Sequence, residues 1–155
     1  MKFKTNESGP SKFLKMKASE SVRGIFKGEP HDFKQHWLDG KGYLCIGDEC
    51  VHCKAGIPAK FRFRLNLILK ENGAFTAKIF EQGWIVYEML KALHEADYDL
   101  EKHMMKITRN GTGTDTTYSI VPVPNGTLSK EDAAQIANIV LLPLGNDRTE
   151  DATPF

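Results

Sequence analysis

The three cysteines of the chain fall in one short stretch, as Cys45-x4-Cys50-x2-Cys53. Two thiolates at C-x2-C spacing can close on one metal ion from a tight turn, and Gly56 just beyond suits the close return of the chain. Zn2+ takes four soft or borderline ligands in a tetrahedron, so three cysteines need a fourth partner. His31, His36 and His52 are available. His52 lies inside the C-x2-C loop, where its ring tends to point away from the metal. His36 can return across the turn at 40–42, so the favoured set is His36, Cys45, Cys50 and Cys53. The plainer alternative is three ordinary buried thiols and a surface histidine. Three thiolates and one imidazole leave no open coordination position, so the expected zinc is structural, pinning a loop that cannot bury enough apolar surface alone.

A second set of residues suits a polyanion with flat groups. Lys60, Arg62 and Arg64 alternate along one strand face with no acid nearby in sequence, and Lys54 lies just upstream. Trp37 and Tyr43 flank the turn before the cysteines. Lys106 and Arg109 sit on a later hairpin, with Tyr118 returning opposite. Cations along phosphates and rings against bases are what binding an unpaired nucleic-acid strand requires. The competing reading is a strand solvated outside and packed inside; Phe61, Phe63 and Trp84 are themselves expected in the core, which leaves Trp37 and Tyr43 as the stacking candidates.

Catalytic motifs are missing. Gly111-Thr112-Gly113 lacks the Gly-Lys-Ser/Thr of a P-loop and opens no helix. No His-x-Glu accompanies the Cys pair, as a zinc deaminase needs, and no carboxylate set suits two-metal chemistry. The chain reads as a non-enzyme.

The elements that would position these groups follow from periodicity. Val22–Lys27 reads as a first strand, and 28–60 as a loop-built segment. Phe61, Phe63, Leu65, Leu67 and Leu69 alternate with Arg62, Arg64, Asn66 and Ile68, the period of a strand. Glu71-Asn72-Gly73 supplies a hairpin turn and Phe75–Phe80 the return. Val86, Met89, Leu90 and Leu93 form a helical stripe within 82–96. Met104–Arg109 and Thr116–Val121 make a second hairpin, ended by Pro122 and Pro124. Ser129, with Asp132 three residues on, caps a last helix reaching about Val140.

At 155 residues, with 41% hydrophobic and 26% charged residues, the chain suits one globular domain with short arms. The net charge of +1 hides an uneven distribution. Lys2, Lys4, Lys12, Lys15, Lys17, Arg23 and Lys27 make the front basic, whereas Asp147, Glu150 and Asp151 make the end acidic. No run approaches a membrane span and no apolar leader precedes the domain, so a cytoplasmic location is expected, where a disulfide framework is not.

The spacing His36…Cys45…Cys50-x2-Cys53 ahead of an alternating basic strand resembles the helix-destabilising single-stranded DNA-binding proteins of tailed phages. So does the run Ile107-Thr108-Arg109-x-Gly111-x-Gly113-x-Asp115-Thr116-x-Tyr118. The resemblance covers about residues 22–123 and implies an OB fold with a one-His, three-Cys zinc site. Only the zinc ligands carry over residue by residue. Glu150-Asp151-Ala152-Thr153-Pro154-Phe155 resembles the acidic, aromatic-tipped tail by which such proteins recruit replication or recombination partners, through Asp151, Pro154 and Phe155. By the same likeness, Lys12, Lys15 and Lys17 would support self-association on DNA.

The expected architecture is therefore a mainly β, five-stranded OB-like barrel. One helix lies between strands 3 and 4, a zinc-stapled insertion (31–56) between strands 1 and 2, and a further helix at the C-terminus. A flexible basic arm spans 1–20, the domain 21–142 and the acidic tail 143–155. The expected function is binding and protection of single-stranded DNA in phage replication, recombination or repair, with DNA on Trp37, Tyr43, Lys54, Lys60, Arg62, Arg64, Lys106, Arg109 and Tyr118. The alternative is a zinc-knuckle adaptor that recruits replication proteins without touching DNA.

Overall fold

The structure is a computed structural model that describes residues 11–145. Among these, the strands are β1 (Ser21–Leu38), β2 (Lys41–Leu44), β3 (Ala59–Glu71), β4 (Ala74–Gly83), β5 (His103–Asn110) and β6 (Thr117–Thr127). They form one antiparallel sheet in the order β4-β3-β1-β5-β6, with β2 paired to β1. The helices are α1 (Val51–Lys54), α2 (Trp84–Glu95) and α3 (Lys130–Ala137). Among the described pairings, none joins β4 to β6, so the sheet is open and the expected OB-like barrel is not closed by strand pairing.

The first strand is far longer than its expected end at Lys27. Gly28, at φ +86°, and Pro30 create a shift in the β1–β3 register between Lys27 and His31, and pairing resumes beyond it. These residues mark a bulge rather than a strand end. Before the bulge β1 pairs with both β5 and β3; after it, with β3 and β2. The expected loop insertion over 31–56 is thus strand through Leu38, then a hairpin. Asp39 and Gly40 both have positive φ, as a two-residue type I′ turn demands. That turn sets His36 opposite Tyr43 and Trp37 opposite Gly42.

Asn72-Gly73 makes the same kind of turn between β3 and β4, as the sequence implies. The last strand does not stop at Val121: β6 runs on through Pro122 and Pro124. It lies at the end of the strand order, where a residue lacking an N–H is tolerated, and its register shifts just there, between His103 and Met105 on β5. Helix α3 begins as expected, with Ser129 Oγ accepting from the Asp132 backbone N–H at 3.1 Å, but ends at Ala137.

Both faces of β3 are buried. Phe63, Leu65, Leu67 and Leu69 face one core with Phe26, Phe80, Val86, Leu90, Met105 and Ile107. Ile68 faces a second, smaller core with Ile25, Phe75 and Ile136, covered by Ile139 and Leu141 of the segment after α3. Asn66 anchors that segment: its side-chain amide donates to Leu142 O at 3.0 Å and accepts from Leu142 N at 2.9 Å.

The arm expected over 1–20 is part of the fold from Ser11 onward. Lys12 and Leu14 exchange backbone hydrogen bonds with Ile79 on the β4 edge, Met16 is buried in the larger core, and Ser19 and Glu20 bond to Arg109. Lys12, Lys15 and Lys17 lie on this segment. Lys2 and Lys4 fall outside the described residues, as do the tail positions Asp151, Pro154 and Phe155.

Candidate metal centre and adjoining groove

The hairpin β1–β2 and helix α1 gather the four expected ligands. Cys45 leaves β2 with its N–H bonded to Lys34 O, and Cys50 and Cys53 bracket the first turn of α1. One donor atom each from His36, Cys45, Cys50 and Cys53 lies within 4.8 Å of every other. The His36 Nε2 atom is 3.3 Å from Cys50 Sγ and 3.4 Å from Cys53 Sγ, and Cys45 Sγ is 3.5 Å from Cys53 Sγ. A tetrahedron with metal–sulfur bonds of about 2.3 Å has edges of about 3.8 Å, slightly longer than these three separations, so a small adjustment is all that separates this cluster from a coordination shell. His36 Nδ1 lies 3.1 Å from Pro58 O. Donating there, it presents Nε2 bare to the thiols, the second-shell arrangement of a metal-bound imidazole.

The protonation chemistry suits a cation. Backbone N–H groups of Ile46 and Cys53 hold the Cys50 thiol down at about 6, and a backbone hydrogen bond from Gly47 lowers Cys45. Cys53, sharing its hydrogen bonds with Cys45, is pushed up to about 11. Burial pulls His36 down, but its hydrogen bonds to Cys45 and Cys50 outweigh this and raise it overall. Adjacent thiolates repel one another, and a metal ion relieves that repulsion. Neither of the other two candidate histidines joins the donor set: His31 stacks near Phe33 at 6.2 Å, and the His52 ring lies 4.7 Å from that of Tyr43 and 5.5 Å from that of His36.

Beside this cluster lies a groove of about 770 Å³. It brings together Trp37, Lys60, Arg62 and Tyr118, from three separate stretches of sequence. Pro58, which takes the His36 hydrogen bond, lines it too, so the His/Cys cluster and the groove share a wall. Among the described residues lining it there is no aspartate or glutamate. Tyr43, Lys54, Arg64, Lys106 and Arg109 lie outside its lining.

The basic face expected on β3 is corrected. Arg62 and Arg64 are only 4% and 2% exposed. Arg62 Nη2 donates to Glu81 Oε2 at 3.1 Å, and Arg64 Nε to Glu81 Oε1 at 2.6 Å. Glu81 is remote in sequence but sits opposite Arg64 in the β3–β4 register. Arg64 also lies over the rings of Phe13 and Phe33 and donates to Gly145 O. Burial lowers the Arg62 pKa, with the Glu81 charge opposing it. Arg109 is likewise engaged, donating to Met16 O and to Thr116 Oγ1. Of the expected cations, Lys54 and Lys60 are exposed; Lys54 reaches Glu49 at 3.6 Å, and Lys106 is half-buried.

Trp84, expected in the core, is 54% exposed and lines the groove, as does Ile85 beside it, 73% exposed. The signal was in the sequence: Trp84 precedes Val86 by two positions, off the Val86–Met89–Leu90–Leu93 stripe. Among the described residues, no helix is long and apolar enough to cross a membrane. Comparison with protein-family models, with curated proteins and with solved structures yields no match.

Proposed function

We propose that this chain is a non-catalytic protein that binds unpaired nucleic acid, single-stranded DNA in the first instance, in the groove beside the metal centre. One observation carries the reading. Trp37, Lys60 and Tyr118, singled out for stacking and phosphate contact, meet in one acid-free groove although they are distant in sequence. Rings supply sequence-tolerant stacking, and Lys60 at the rim supplies the cation. Setting aside the short β2, five strands with a helix after the third have the element order of an OB barrel. In such a barrel the first–second and fourth–fifth connections frame the ligand. Here the groove is lined from the connection leading into β3, by Pro58, and from that between β5 and β6, by Thr114 and Thr116, which supports the same reading.

Within it, His36, Cys45, Cys50 and Cys53 would hold Zn2+, whose part is structural because the protein fills all four positions. The metal fixes the hairpin that carries Trp37. A role in phage replication, recombination or repair rests on the family resemblance.

The rival adaptor reading has one observation in its favour: Ile46 and Val51 on the cysteine loop are well exposed. A mobility-shift series with single-stranded DNA, duplex DNA and RNA separates the two. A shift with single strands supports direct binding; none with any of the three favours the adaptor.

A further inference from the structure

The groove has a second aromatic wall, at the start of α2. Trp84 opens α2 and stacks on Tyr87, with ring centroids 5.7 Å apart and planes at 25°. Phe61 meets it edge-on at 5.1 Å and 89°, and also meets Tyr87 at 5.1 Å. An indole left more than half exposed forfeits much of its hydrophobic stabilisation. This one is nevertheless held by two ring neighbours, so little side-chain freedom remains to be lost when a ligand arrives. It lines the same groove as Trp37 and Lys60.

We infer that Trp84 is a base-stacking residue: it takes a heterocyclic base of an unpaired strand, while Trp37 engages the strand from the β1–β2 hairpin. This deepens the reading given under Proposed function and rests on it. The occupant follows from the lining, which combines large flat rings, a lysine and threonine hydroxyls with no carboxylate. Such a surface matches a polyanion that carries exposed aromatic faces. Bases stacked inside a duplex have no free face to offer Trp84, so the residue selects for unpaired strands.

The chain contains two tryptophans, so each wall can be read separately. Trp37→Phe leaves Trp84 as the sole indole, and Trp84→Phe leaves Trp37. Both variants, with Trp84→Ala, are titrated with oligo-dT and with an abasic oligomer of equal length. The expected result is quenching of Trp84 emission by oligo-dT but not by the abasic strand. Trp84→Ala should weaken oligo-dT binding about ten-fold, whereas Trp84→Phe should recover most of it. Should Trp84→Ala fail to fold, the emission of the Trp37→Phe protein still decides the matter. If oligo-dT shifts the protein in a gel while Trp84 emission stays unchanged, the role of Trp84 is overturned and the groove reading stands. If wild type binds no single strand at all, both fall.

Discussion

Arg64 and Glu81 face each other across β3 and β4, both buried, with Nε 2.6 Å from Oε1. The same carboxylate holds Arg62 through its other oxygen. Two cations on one carboxylate form a buried lock between the strands. Removing one partner of such a pair leaves a buried charge uncompensated, at a cost of about 3–5 kcal/mol.

Glu81→Gln is therefore expected to destabilise the fold by about 3–5 kcal/mol, read as a lowered denaturant midpoint. Arg64→Ala should cost less, because Arg62 still pairs with Glu81, and its effect on DNA affinity should track the unfolded fraction. A stable Arg64→Ala protein with selectively lost binding would show that this arginine contacts the ligand after all.

Lys60→Ala should do the opposite. Lys60 is exposed on the groove rim, so stability should change by less than about 0.5 kcal/mol. Affinity should fall alike for all single-stranded sequences, and the slope of log affinity against log salt should flatten by about 1. Titrations at a series of salt concentrations measure both.

The metal centre should retain about one equivalent of zinc through purification without chelator, measured by elemental analysis. Cys50→Ser should lose it, and chelation should lower the melting temperature of the wild type. Because Pro58 links the centre to the groove, the chelated protein should also bind oligo-dT more weakly.

Acid should release the metal. In the metal-free site Cys50 titrates at about 6, and Cys53, near 11, keeps its proton until a metal displaces it. Metal binding thus expels protons, and affinity rises with pH. For the metal-free fold the signs differ. The lowered Cys50 contributes stability that is complete above its ordinary value of 9.0 and lost as pH falls towards 6. The raised Cys53 costs stability as pH climbs from 9.0 towards 11. Zinc release followed with a chromophoric chelator should therefore become marked below pH 6 and be slight at pH 8.

Asn66→Ala should free the segment after α3. It removes both hydrogen bonds to Leu142 and leaves that backbone unpaired, a loss of about 1–3 kcal/mol. Amide exchange at 139–142 should accelerate while that of β3 keeps most of its protection.

What the sequence disclosed depended on range. The cluster of His36, Cys45, Cys50 and Cys53 was legible because thiolate spacing is local. The Asn72-Gly73 hairpin, the α2 stripe and the Ser129 cap were legible for the same reason. The length of β1 was hidden because Gly28 and Pro30 punctuate a bulge in the way they would punctuate a strand end. The character of Arg62 and Arg64 was hidden because their partner Glu81 comes from the next strand, and Gly145, whose carbonyl accepts from Arg64, lies far along the chain. Period-two alternation says that two faces differ, not that one of them meets water. The exposure of Trp84 ran against the usual burial of a large aromatic, and only its position off the α2 stripe marked it.

The most direct test is anisotropy of labelled oligo-dT titrated with the intact protein at low and at moderate salt. The account predicts saturable binding that weakens steeply as salt rises and is outcompeted by unlabelled single strands but not by duplex. Flat anisotropy at low salt, from protein shown to be folded and metal-loaded, would contradict it.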